Sequence, residues 1–167
     1  MAWGPMVVGV DASPAAKGAA IVGERLAQLA SVPCRLVHAV RDVWAPLVAV
    51  SVDPQVVDMQ RLQLAVGRQQ VNDALGTEVS DGTRQKLDVL FGPASVILQQ
   101  VMREQRPGLV VLGGKHHSAL ERWLGGSTSL HVVRAAEVPV LITSGTATAF
   151  RRVLVAGDLS RASGPTL

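Results

Sequence analysis

The sequence predicts an α/β fold, a parallel sheet with helices on both faces, and three observations carry the prediction. Short runs such as MVVGV at Met6–Val10 and LVVL at Leu109–Leu112 are apolar at nearly every position, as in strands covered on both sides. Five such runs alternate with helical stretches along the chain, the order that right-handed crossovers between parallel strands require. The composition agrees. It is 48% hydrophobic but only 3% aromatic, with no Tyr, which suits a Val-rich sheet under Ala- and Leu-rich helices and leaves little for stacking nucleic-acid bases.

Met6–Val10 reads as the first strand. Asp11-Ala12-Ser13-Pro14 then supplies capping side chains and a proline suited to a first helical turn. The helix runs from about Ala15 to Ala30, and Ala16, Ala19, Ala20, Gly23, Leu26, Ala27 and Ala30 make a small-residue face that packs close to a sheet. Arg35–Val40 is the second strand, Arg41–Pro54 a loop, and Val56–Leu75 a long helix. Lys86–Phe91 alternates enough to be a strand nearer an edge. Gly92-Pro93-Ala94 turns it into a helix over Ser95–Gln105, which Arg106-Pro107-Gly108 stops. Leu109–Leu112 is the fourth strand, Ser127–Ala136 the last helix and Val138–Ile142 the fifth strand.

At 167 residues the chain is long enough to bury a core without disulfides or metals. Residues 1–143 are expected to form one domain, and 144–167 a small-residue linker (Ser144–Phe150) followed by an extra strand at Val153–Ala156. The segment VLVAGDLS there echoes VVGVDAS near the amino terminus. It reads either as an edge strand or loose tail, or as the first strand of a second copy of the fold with Asp158 in the place of Asp11. The formal charge is +3, and the basic residues are scattered singly or in pairs such as Arg151-Arg152, so no stripe for nucleic acid forms. Cys34 is the sole cysteine, which excludes an internal disulfide and fits a reducing compartment. The amino terminus lacks a basic n-region, and Trp44–Val52, though uncharged, is far shorter than the ~20 residues that cross a bilayer. A soluble cytoplasmic protein is expected, with no membrane and no nucleic-acid partner.

The chemistry concentrates between Leu109 and Thr143. A buried strand ends in Gly113-Gly114, and a loop ends in Gly125-Gly126-Ser127-Thr128 just before a helix. Glycines let a backbone approach a ligand where a Cβ would collide, and hydroxyls at a helix start sit where the dipole favours anions. The same glycines also serve turn geometry alone. Competing chemistries find less support. His116, His117 and His131 have no Cys or acidic residue at ligand spacing, so no metal is expected. Ser127 lacks a nucleophile elbow and an Asp/His pair. Asp11 is explained by capping as well as by ligand contact, and His38 reads as a packed, hydrogen-bonded strand residue. No G-x-G-x-x-G turn follows the first strand, which argues against a dinucleotide fold.

The blocks VVGVDASPAA, LVHAV, GPASVIL and LVVLGGKHHSALERWLGGSTSLHVVRAAEVPVLIT together resemble the universal stress protein family from about Met6 to Thr143. The resemblance implies a five-stranded parallel sheet of order 3-2-1-4-5, of the adenine nucleotide alpha hydrolase-like type, usually dimeric. It implies a sensing or signalling role rather than efficient catalysis, with slow ATP hydrolysis at most. The family divides into members that bind ATP and members that do not. Binding members carry G-x2-G-x9-G-[ST], and this chain fits the frame from Gly113 to Gly126-Ser127 except that His116 stands at the second glycine. A histidine there either strains the loop or fills space meant for ribose or phosphate, or else, protonated, faces a phosphate. By the resemblance, Asp11 contacts the nucleoside end, Val40 offers backbone groups to adenine, and Gly113, Gly126, Ser127 and Thr128 hold ribose and phosphates of ATP, with or without Mg. The alternative is a ligand-free interaction module of the same fold. In either case a homodimer is expected through the edge of the fifth strand or through the tail strand.

Overall fold

The computed structural model describes residues 3–41, 54–114, 128–144 and 152. Strand β1 (Met6–Gly9) leads to helix α1 (Pro14–Ala30), β2 (Cys34–Val40), α2 (Pro54–Leu75), a 3-10 turn (Gly76–Glu78) and a one-turn helix α3 (Asp81–Arg84). Then come β3 (Leu87–Phe91), α4 (Ala94–Gln105), β4 (Leu109–Gly113), α5 (Thr128–Ala135) and β5 (Val140–Thr143). All four pairings are parallel, in the order β3-β2-β1-β4-β5. The expected architecture is therefore present, with β1 central and β3 at an edge.

Consecutive apolar residues in the strands serve opposite faces. Met6 and Val8 of β1 join Leu36, Val111 and the small-residue face of α1 in one core, closed by Val71 and Leu75 of α2. Val7 lies in the other, with Val37, Val110, Leu112, Ile97, Leu98 and Val101 of α4, and Val132 of α5. The small face of α1 brings it very near the sheet: a Cβ on Gly23 would lie 2.4 Å from Val8 Cγ2.

Most boundaries shift by a residue or two from expectation, and three differences have local reasons. Strand β5 begins two residues late because Pro139 has no N–H for the ladder, although its carbonyl accepts from Val110 N at 3.0 Å. Helix α2 extends back to Pro54, which fits a first helical turn. Helix α3 was not expected; Ser80 caps it through its hydroxyl and is itself held by Glu24 of α1. The Glu24 carboxylate is buried, 8% exposed. It accepts from Ser80 N at 3.2 and 3.3 Å, from the Ser80 hydroxyl, and from the Thr83 hydroxyl at 2.6 Å. Burial works against its charge, but the Ser80 hydroxyl, then the Thr83 hydroxyl and the Ser80 N–H, outweigh it and hold the carboxyl below its ordinary value. Beside it, Cys34 is buried at the start of β2, and burial with the Glu24 charge pushes its thiol up to about 12, too high for a reactive thiolate. The expected strand at Val153–Ala156 and nearly all of the linker lie outside the described residues.

Candidate functional site

The chain passes from β1 to β2 and β3 on one side, then crosses to β4 on the other. Between the carboxyl ends of β1 and β4 the crossovers diverge, and in open α/β sheets a crevice forms at such a point. A cavity of about 430 Å³ opens there. Its walls come from six elements: the end of β1 with the Asp11 turn, α1 at Ala16, β2 at Val37–Ala39, the start of α4 at Ala94 and Leu98, the end of β4, and the first turn of α5.

Each wall has a local cause. Past the ladder, Asp11 Oδ1 accepts from Ser13 N at 2.9 Å, closing a tight turn. The Ser13 hydroxyl then caps α1 by accepting from Ala16 N at 3.2 Å. Gly113 is required by close approach, not by its dihedral angles: a Cβ there would stand 2.5 Å from both the carbonyl carbon and oxygen of Ala15 and 2.8 Å from Ala16 N. The missing side chain lets the end of β4 lie against the first turn of α1. Ser129 Oγ donates to the Gly113 carbonyl at 3.4 Å, tying the start of α5 to the same spot. The N-terminal turn of α5 thus borders the cavity, with Thr128 and Ser129 in its wall and the helix dipole favouring an anion. Ala94 and Leu98, one turn apart on α4, add an apolar side with Val37, Ala39 and Leu112.

Of the residues picked from sequence, Asp11, Gly113 and Thr128 come together in this wall. Val40 lies beside it: its carbonyl accepts from Gly92 N at 2.9 Å and its side chain packs against the core under α2. The β2 residues in the wall are Val37, His38 and Ala39, the last of them one position before Val40. His116, Gly126 and Ser127 lie outside the described residues. His38 reaches the wall as well, its Nδ1 2.8 Å from the Val10 carbonyl. Sequence reading set it aside as packing, because nothing in a strand's spacing tells which end of the sheet opens to a ligand. Ser129 was missed too, although it directly follows the Gly-Ser-Thr run and signalled itself by that position. Among the described residues no group of three or more His, Cys, Asp and Glu could hold a metal, and no helix is long and apolar enough to cross a membrane.

A family model described as the universal stress protein family matches residues 3–144. Among curated proteins no significant match was found. Several solved structures are similar. A universal stress protein in complex with cAMP is 20% identical with a TM-score of 0.56, over 87% of this chain and 99% of that one. UspA from Lactobacillus plantarum is 20% identical with a TM-score of 0.58, over 85% and 98%. A universal stress protein from Pseudomonas aeruginosa UCBPP-PA14, described as putative, is 17% identical with a TM-score of 0.54, over 86% of this chain but 48% of its own. This chain therefore spans about half the length of that last relative, and at these identities the structures bear on fold alone.

Proposed function

Because the chain belongs to the universal stress protein family, we propose that it is a stress-response sensing or signalling domain that binds an adenine nucleotide between the carboxyl ends of β1 and β4. The observation that carries the reading is the convergence of the Asp11 turn, Gly113 and the start of α5 on one cavity of about 430 Å³. A carboxylate suits ribose hydroxyls, the apolar side formed by Val37, Ala39, Leu98 and Leu112 suits a base, and helix N–H groups with hydroxyls suit phosphate. In this arrangement Asp11 takes the nucleoside end, Thr128 and Ser129 with Gly126 and Ser127 take phosphates, and the backbone contact to adenine falls to the end of β2, at Ala39 beside Val40. That a similar universal stress protein was solved with cAMP supports an adenine nucleotide as the ligand class. ATP, with or without Mg, is the form we assign, and His116 would border the phosphates. We assign turnover that is slow at most, as the family resemblance implies, and a place in the cytoplasm.

The test is thermal unfolding with and without millimolar Mg-ATP, and with cAMP in a parallel arm. A ligand of the native state at 100 times its dissociation constant adds about 2.7 kcal/mol, or very roughly 5–10 °C for a domain of this size. We expect such a rise with Mg-ATP and its loss in Gly126→Ala. No rise with either nucleotide would leave the second reading, a ligand-free dimerisation module. One observation favours that alternative: Ile142 of the edge strand β5 is 42% exposed.

A further inference from the structure

The ladder of β1 ends at Gly9, so Val10 leaves the sheet carrying polar groups that need other partners. Its amide donates to the Val37 carbonyl at 2.9 Å, and its carbonyl lies 2.8 Å from His38 Nδ1 across 28 residues of sequence. A carbonyl only accepts, so Nδ1 is the protonated, donating nitrogen of this contact. Helix α2 backs the ring at buried Gly67, where a Cβ would come 3.5 Å from Cδ2 and 3.6 Å from Nε2. The imidazole is thus clasped between α2 and the peptide that leads into Asp11, and His38 is one of the residues of the cavity wall.

We propose that His38 is a positioning residue of the cleft: by donating from Nδ1 to the Val10 carbonyl it sets the peptide plane on which the Asp11 turn is built, and so holds the Asp11 carboxylate in place for a nucleotide's ribose. The ligand part rests on the reading given above; the hydrogen bond and its hold on the turn do not. A histidine suits this duty because a ring nitrogen next to Cγ reaches sideways from the strand, where a long polar chain would overshoot. Asparagine places its amide nitrogen at nearly the same distance from the backbone as Nδ1, whereas phenylalanine keeps the ring shape and loses the donor.

The experiment uses the full chain labelled with ¹⁵N, in wild-type form and as His38→Asn and His38→Phe. Imidazole spectra of the wild type, assigned to His38 by the signal lost in His38→Asn or His38→Phe, should show the Nδ1–H tautomer. The Nε2–H tautomer would overturn the proposal outright, whatever the variants do. Amide exchange at Ser13, which donates to Asp11, should quicken several-fold in His38→Phe and stay near wild type in His38→Asn; equal exchange in both variants would also overturn it. In the Mg-ATP arm, His38→Phe should bind roughly 5- to 10-fold more weakly, the worth of one hydrogen bond, with His38→Asn restoring most of the affinity. Should the wild type bind no nucleotide, the cleft reading falls, while tautomer and exchange still judge the role of His38. If the Phe variant does not fold, the wild-type tautomer and Ser13 exchange in His38→Asn remain as the judges.

Discussion

Single side chains in this protein act mostly by holding segments that have no ladder of their own. Glu24 is the strongest case, because one buried carboxylate answers three donors from the stretch between α2 and β3. Glu24→Ala leaves Ser80 and Thr83 without their acceptor. It should cost about 2–3 kcal/mol in urea unfolding at pH 7. The pH dependence follows from the direction of the shift. The folded carboxyl lies below its ordinary 4.5, so its contribution is fully present above that value and is lost as pH falls through the folded pKa. The stability gap between wild type and Glu24→Gln should therefore be widest near neutrality and shrink progressively below pH 4.5. A gap that is the same at pH 7 and pH 3 would show that the charge contributes nothing. Residues of this kind are hard to find in a sequence. Nothing in the spacing of Glu24, Ser80 and Thr83 announces that they meet, since the contact bridges 56 and 59 positions.

At the scale of elements, the distance between helix and strand is set by what is missing from glycine. Gly23 and Gly113 both sit where a Cβ would press into a neighbour, at 2.4 Å from a valine methyl and 2.5 Å from helix backbone. The second is the stricter requirement, because backbone cannot rotate away as a side chain can. Gly113→Ala should push the end of β4 off the first turn of α1, costing about 1–3 kcal/mol by calorimetry. On the proposed function it should weaken Mg-ATP binding as well, since α1, β4 and α5 meet at that residue. A variant as stable as wild type would mean that α1 shifts freely there. The sequence already marked Gly113, but for approach to a ligand. The contact it permits lies between two pieces of the protein, and the cleft is a consequence of that contact. Element boundaries moved where the backbone's own chemistry intervened, as at Pro139, where a missing N–H delays β5.

The molecule as a whole presents β5 at one end of the sheet, with β4 on one side and its own Ile142 exposed. An outer strand with an exposed apolar side chain is a template for pairing, and the homodimer we infer uses it. Light scattering at tens of micromolar is expected to give twice the chain mass, and Ile142→Lys to shift it toward the monomer by placing a charge in the contact. A wild-type monomer at that concentration would remove the dimer. A universal stress protein of about twice this length is among the similar structures, which makes the second-repeat reading of VLVAGDLS at Val153–Ser160 worth testing on any longer form of the chain.

The architecture was legible before any coordinates because doubly covered strands leave an unbroken apolar run, and because alternation of such runs with helices admits few topologies. Met6–Val10, Leu109–Leu112 and the small face of α1 say this locally, each within a few residues. The residues themselves marked Asp11, Gly113 and Thr128, and the resemblance then supplied the strand order, the family and the ligand roles expected of them. Three-dimensional packing was needed for the rest: that Ala39 and His38 stand at the cavity while Val40 turns to the core, that Gly113 serves a helix contact, and that Glu24 fastens a distant segment. Those outcomes depend on where the ends of separate strands lie relative to one another. Local periodicity reports which way a side chain faces and is blind to what stands opposite it.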